Sequence, residues 1–305
     1  MTDSPLARGA WPVVLTPFQE DRQIDWPAYR ALIDFYLDHG AAGLFASCLS
    51  SEIQELTADE IVELARVAVQ HTAGRASVVA GAVLDAPVAE IADLTRRVSD
   101  TGAAAVVVAA GTLVPPGADE AAWRDAFEVL MQRTPGIDLG IYECPWPHHR
   151  VLSAATLGWL AQTGRVVFHK DTACNLEAIH AKLDAIAGHG LAFYNAHGPT
   201  LRASLDRGAA GYCGTGANFA PELFAAACRP DADPEVWQRL AELEPLVPPG
   251  YPANAKATLA HRGVPMTPVC RIPARPDPHN LQLHKEFIDA LASSNLCASA
   301  VASQP

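Results

Sequence analysis

Lysine is scarce in this 305-residue chain: of 22 basic residues only four are lysines, Lys170, Lys182, Lys256 and Lys285. The shortage of positive charge leaves a formal net charge of -12 and a pI near 5.3. Nucleic acid and anionic membranes are therefore excluded as expected partners, since both demand concentrated cations. No apolar run approaches the roughly 20 residues of a membrane span. The opening stretch MTDSPLARGA also lacks the basic region and apolar core of a secretory signal. A cytoplasmic location is expected. The cysteines, Cys48, Cys144, Cys174, Cys213, Cys228, Cys270 and Cys297, include no C-x-x-C pair, a pattern that suits reduced thiols packed as small apolar side chains. There is no Gly-rich phosphate loop.

What the chain does have is hydrophobic material, half of all residues, in short β-rich runs that alternate with helix-period segments. The runs are WPVVLTPF, AGLFASC, ASVVAGAV, AAAVVVAA, DLGIYEC, RVVFHK, LAFYNAH and AGYCGTG. Hydrophobicity that is continuous within a run implies strands covered on both faces, as in a parallel sheet. Between the runs, Tyr29, Leu32, Ile33, Tyr36 and Leu37 recur at helical spacing. Thr57 to Glu60 reads as a capping box opening a helix with Ile61, Leu64, Ala65 and Ala68 on one face. Eight strand-helix units predict an α/β fold, a (β/α)8 TIM barrel, with a doubly wound open sheet as the alternative. The barrel is expected over residues 1–229. A helical C-terminal extension packed on it follows over 230–295, and a loose tail over 296–305.

In such a barrel chemistry gathers at the C-terminal ends of the strands. Thr16, the stretch Ser47 to Glu52, Tyr142 with Glu143, Lys170, His197, and the GTGAN that follows Cys213 fall there. Lys170 stands out because three apolar residues precede it. Strand alternation places Val166, Phe168 and Lys170 on one face and Val167 and His169 on the other. Lys182 is expected on the surface of an amphipathic helix. A lysine amine inside an apolar barrel has its pKa pushed below about 10.4. It can then condense with a ketone to a protonated imine, an electron sink for the adjacent carbon. Read from the residues alone, the alternative is a lysine reaching a rim carboxylate such as Asp171.

TPF after the first strand, SSE after the second, YECP at the fifth, KDTACN at the sixth and GTGAN at the eighth occur in one characteristic order. On these motifs the chain, over roughly residues 10 to 275, resembles the dihydrodipicolinate synthase and N-acetylneuraminate lyase family of class I aldolases and dehydratases. The resemblance implies that Lys170 forms the Schiff base and that Tyr142 moves protons beside it. The family's G-T-T-G-E loop corresponds to Cys48, Leu49, Ser50, Ser51 and Glu52, which places Ser50 at the carboxylate of pyruvate or another 2-oxo acid. Ser51, Thr16 and Cys213 complete the candidate substrate-binding set. A homo-oligomer, dimer or tetramer, and a small 2-oxo acid as partner are also implied.

Three departures shape the expected activity. Leu49 replaces a relay hydroxyl, and GTLVPP offers no tyrosine where the synthases lend one across a subunit contact. After YECP the chain reads Trp146, Pro147, His148, His149, Arg150, without the arginine that grips the second substrate of true synthases, although Arg150 is in reach of the same space. A lyase outside lysine biosynthesis is expected, acting on a polyhydroxylated or aromatic 2-oxo acid, by aldol cleavage or by loss of water. No cofactor and no metal are expected. A metal-dependent aldolase would need three or four converging ligands; Glu143 and His197 are available, while His169 points away if Lys170 points in. A non-catalytic 2-oxo acid or sugar-acid binding protein on the same fold is the alternative, and Leu49 is its best support.

Overall fold

The computed structural model describes residues 4–294 and 296. Eight parallel strands alternate with eight helices in the order β1 (Gly9–Ala10), α1 (Trp26–Asp38), β2 (Gly43–Ala46), α2 (Ala58–Thr72), β3 (Ser77–Gly81), α3 (Val88–Ser99), β4 (Ala105–Ala109) and α4 (Glu120–Arg133). The second half continues with β5 (Leu139–Tyr142), α5 (Ala154–Gln162), β6 (Val166–Asp171), α6 (Leu176–Ile186), β7 (Ala192–Asn195), α7 (Gly198–Asp206), β8 (Gly211–Tyr212) and α8 (Pro221–Ala227). The hydrogen-bonded order runs from β2 through β8 to β1, which makes the sheet a TIM barrel rather than an open doubly wound sheet.

The first strand, Gly9–Ala10, lies just before the run WPVVLTPF rather than within it. Pro12 has no N–H to give a ladder, so the segment after Ala10 meets β2 through separate contacts: Ala42 N donates to Ala10 O at 2.9 Å, Phe45 N to Pro12 O at 3.1 Å, and Val14 N to Phe45 O at 2.9 Å. These bonds complete the closure. The lumen is filled by Trp11, Phe45, Phe168 and Tyr194, with Phe168 stacked on Tyr194 at 4.9 Å between centroids and 5.6 Å from Phe45. Each such ring contributes on the order of 2 to 3 kcal/mol by burial. Helix α2 starts on the expected capping box, Thr57 and Glu60 satisfying each other's backbone N–H groups.

Beyond α8 the chain makes α9 (Pro234–Leu243), α10 (Ala253–His261) and α11 (Pro278–Ala292). The segment from α10 onward is tied to the C-terminal end of the barrel: Lys256 of α10 pairs with Glu52 at 2.6 Å, and the same carboxylate accepts from Arg271 N at 2.7 Å and Ile272 N at 3.0 Å. The expected tail, apart from Leu296, lies outside the described residues.

Candidate active site

The 48–52 loop is held in a backbone shape that most side chains resist. Ser47 and Glu52, at its two ends, have φ of 54° and 60°, a left-handed conformation costing roughly 1 to 2 kcal/mol each. Gly81 makes room beneath it, because a Cβ there would lie 1.9 Å from Ser47 O. The Glu52 carboxylate and its three donors hold the far end. Within the loop Ser51 Oγ donates to Val14 O at 2.7 Å and accepts from Cys48 N at 3.0 Å, while Thr16 Oγ1 donates to Ser51 O at 2.7 Å. Ser51 and Thr16 thus fix the loop, and neither lines the cavity beside it; Ser50 does.

That cavity, about 510 Å³, opens at the C-terminal ends of the strands and is lined by Lys170, Tyr142, Ser50, Leu49, Gln54 and Trp146 among others. Lys170 is 3% exposed. Its amine lies 4.4 Å from the centroid of the Tyr142 ring and 3.5 Å from Cys48 Sγ, and no carboxylate among the described residues pairs with it. His169, one residue earlier, faces outward against Phe193 at 5.2 Å, so the alternation read from the sequence holds at this strand end.

Burial is the largest influence on the Lys170 amine and disfavours its charge, but the neighbouring Cys48, Cys213 and Cys144 carry its pKa above the ordinary lysine value. Burial, however, pushes Cys144 and Cys213 up to about 12. Both of these thiols are therefore uncharged at neutral pH. Burial likewise raises the Tyr142 phenol well above its ordinary value, with Cys48 and Cys144 adding to the rise. The phenol therefore keeps its proton. Cys213 stands close enough to act on Lys170 electrostatically but does not line the cavity.

Arg150 is not at the site. Its guanidinium donates to Ala118 O at 2.6 Å, because the turn after Pro147 carries it toward the start of α4. His149 instead bonds Thr172 Oγ1 at 2.8 Å at the cavity edge, and His148 lines a separate depression of about 480 Å³ with Pro115, Pro116 and Pro147. His197 precedes α7 and bonds Thr200 at 3.0 Å.

The expectation for Lys182 is overturned. It is 1% exposed, and its ammonium lies 2.5 Å from both Glu143 Oε1 and Asp171 Oδ2. The cluster sits between the outer face of β6 and α6. Burial opposes the Asp171 carboxylate, but His169 and Lys182 together hold its pKa well below the usual range. Glu143, His169 and Asp171 could converge on a metal ion, yet Lys182 already occupies the space between the two carboxylates. His169 Nε2, at 3.6 and 3.7 Å from them, is beyond hydrogen-bond length.

The extension supplies what the sequence reading missed. Tyr251, Pro252 and Ile272 form one wall. Tyr251 donates to Asn218 Oδ1 at 2.8 Å, and it lines the cavity beside Ser50. Proline-rich turns gave no sign of this in the sequence.

Among known proteins, the family model described as "Dihydrodipicolinate synthetase family" matches residues 6–290. A 4-hydroxy-tetrahydrodipicolinate synthase of Methylococcus capsulatus is 27% identical over 226 residues, 73% of this chain and 75% of that protein. "Probable 5-dehydro-4-deoxyglucarate dehydratase 2" of Streptomyces avermitilis is 31% identical over 277 residues, 87% of this chain and 81% of that protein. A prophage protein of the dihydrodipicolinic acid synthase family from Escherichia coli, solved in complex with pyruvate, superposes with a TM-score of 0.83 at 24% identity, covering 93% of this chain and 98% of that one. The structural likeness speaks for the fold; the family match covers nearly the whole chain.

Proposed function

The chain belongs to the dihydrodipicolinate synthetase family, and from that premise we propose that it is a Schiff-base-forming lyase acting on a 2-oxo acid. The observation that carries this reading is Lys170, a buried amine in a cavity, with a phenol ring at 4.4 Å and no carboxylate partner. A buried lysine kept without a counter-ion is costly unless its neutral form has work to do.

In this reading the neutral amine adds to the ketone carbon of the 2-oxo acid, whose carboxylate lies at Ser50. Tyr142 gives its proton to the carbinolamine hydroxyl, which leaves as water, so that a protonated imine and a phenolate form together. The phenolate then takes the proton of the C4 hydroxyl, the C3–C4 bond breaks, and its electron pair moves onto the imine as an enamine. Protonation of C3 by Tyr142 and hydrolysis release pyruvate and restore the amine. Loss of water from a 2-keto-3-deoxy sugar acid uses the same imine. The lysine-pathway reaction is disfavoured, since no arginine among the described residues lines the cavity. A cytoplasmic homo-oligomer completes the proposal; the six described cysteines are free thiols.

Leu49, standing where a relay hydroxyl is expected, favours a second reading: a 2-oxo acid or sugar-acid binding protein without turnover. Steady-state assays across pyruvate aldol adducts and 2-keto-3-deoxy sugar acids decide. Turnover of at least one substrate is expected, whereas saturable binding without turnover would establish the second reading.

A further inference from the structure

A second cavity, about 840 Å³, opens at the end of the barrel remote from Lys170. It lies between the start of β1, the turn that leads into β2, and helices α7, α8 and α9, and it shares no lining residue with the cavity at Lys170. The N-terminal face of this fold ordinarily serves stability rather than reaction, so the chemistry proposed above makes no use of the space.

Its charged lining consists of Arg8, Arg202, Arg229, Asp206 and Asp231. Arg229 pairs with Asp231 at 3.3 Å. Arg8 donates to Ala209 O at 2.7 Å and Gly208 O at 3.4 Å, which fixes its guanidinium, while Arg202 lies over the Trp237 ring at 5.6 Å. Among the described residues neither Arg8 nor Arg202 meets a carboxylate, and the exposed Asp206 carboxylate has no partner. In a chain with a net charge of -12, two guanidiniums without counter-ions on one concave surface make a local seat for an anion. A bare inorganic anion would leave most of the volume unfilled, since cavities of roughly 300 to 1,000 Å³ take drug-sized molecules. It would also leave the Trp237 indole unused.

We propose that this cavity binds a nucleoside monophosphate. Arg8 and Arg202 hold the phosphate, whose oxygens match the planar fork of a guanidinium. The base stacks against Trp237, which offers a flat apolar face to any of the four bases. The ribose hydroxyls donate to Asp206, the acceptor left without a partner. The site stands independently of the Schiff-base reading, because no residue of the one belongs to the other.

Calorimetric titration of the full chain tests this, with AMP, GMP, CMP and UMP as ligands and with the nucleosides, ribose 5-phosphate and inorganic phosphate as their fragments. At least one nucleotide is expected to bind saturably with a Kd below about 1 mM. Its nucleoside and ribose 5-phosphate should each bind about tenfold more weakly or worse. Arg202→Gln should weaken the nucleotide and ribose 5-phosphate by about 10- to 100-fold and leave the nucleoside unchanged. Trp237→Leu should weaken the nucleotide and the nucleoside by about tenfold and leave ribose 5-phosphate unchanged. Misfolding would weaken all three ligands alike and so does not produce this crossed pattern. Absence of saturable nucleotide binding to the wild-type protein overturns the proposal. So does inorganic phosphate binding as tightly as the nucleotide, which would mark an adventitious anion only, or a nucleotide affinity that neither variant moves.

Discussion

Lys170 and Lys182 flank the same strand and are buried almost equally, at 3% and 1% exposure, yet they sit in opposite chemical settings. Lys170 points into the lumen among thiols and aromatic rings without an anion. Lys182 reaches the outer face of the strand from α6 and holds two carboxylates at 2.5 Å. Burial is therefore no mark of reactivity here. What differs is the partner: Lys182 lies against two carboxylates, while Lys170 has none among the described residues. The carboxylates that hold Lys182 also directly follow Tyr142 and Lys170 in sequence, so the paired lysine braces the two strand ends from which the site projects.

Replacing each lysine in turn is the strongest way to break this comparison. Lys170→Met is expected to lower turnover by about 10⁴-fold or more, the scale of removing a nucleophile. Its stability to urea should stay level or rise, because an unpaired buried amine has been exchanged for an apolar chain. Lys182→Met should do the reverse. Two buried carboxylates lose their counter-ion, which costs roughly 3 to 5 kcal/mol of unfolding free energy, read by urea denaturation. Equal destabilisation by both variants would erase the distinction.

A smaller effect sharpens the comparison with a base that is neither paired nor reactive. His284 of α11 is fully buried and stacked on Phe219 at 4.3 Å, and burial lowers its pKa from 6.5 to about 4. The unfolded chain takes up this proton near pH 6.5 and the folded one only near pH 4. His284 therefore costs no stability above pH 6.5 and a growing amount as pH falls toward 4, reaching roughly 2 to 3 kcal/mol. Denaturation at pH 7 and pH 4.5 should show that loss, and His284→Phe should reduce it. An unchanged slope in the variant would assign the acid sensitivity elsewhere.

The barrel was legible because its strands are continuous apolar runs, and Lys170 was legible because strand alternation fixes direction once the strand is found. Lys182 was misread: a helical pattern shows which side chains recur on a face but not that a lysine on that face meets Glu143 and Asp171, residues from two other elements. Lys256 escaped for the same reason, its partner Glu52 lying at the other end of the chain. Arg150 follows a turn whose course no local pattern specifies. Tyr251 and Ile272 come from segments broken by prolines, and only the folded extension brings them to the site. The first strand was placed in WPVVLTPF, whereas regular pairing stops at Ala10, before Pro12, which lacks the donor to continue it.

The account turns on whether Lys170 is the nucleophile, and borohydride reduction in the presence of pyruvate tests this most directly. Peptide mass mapping of the wild-type protein should place the reduced pyruvate adduct on Lys170, with Lys182, Lys256 and Lys285 unmodified and no adduct in Lys170→Met. An unmodified Lys170, or an adduct that persists in Lys170→Met on another lysine, would contradict it.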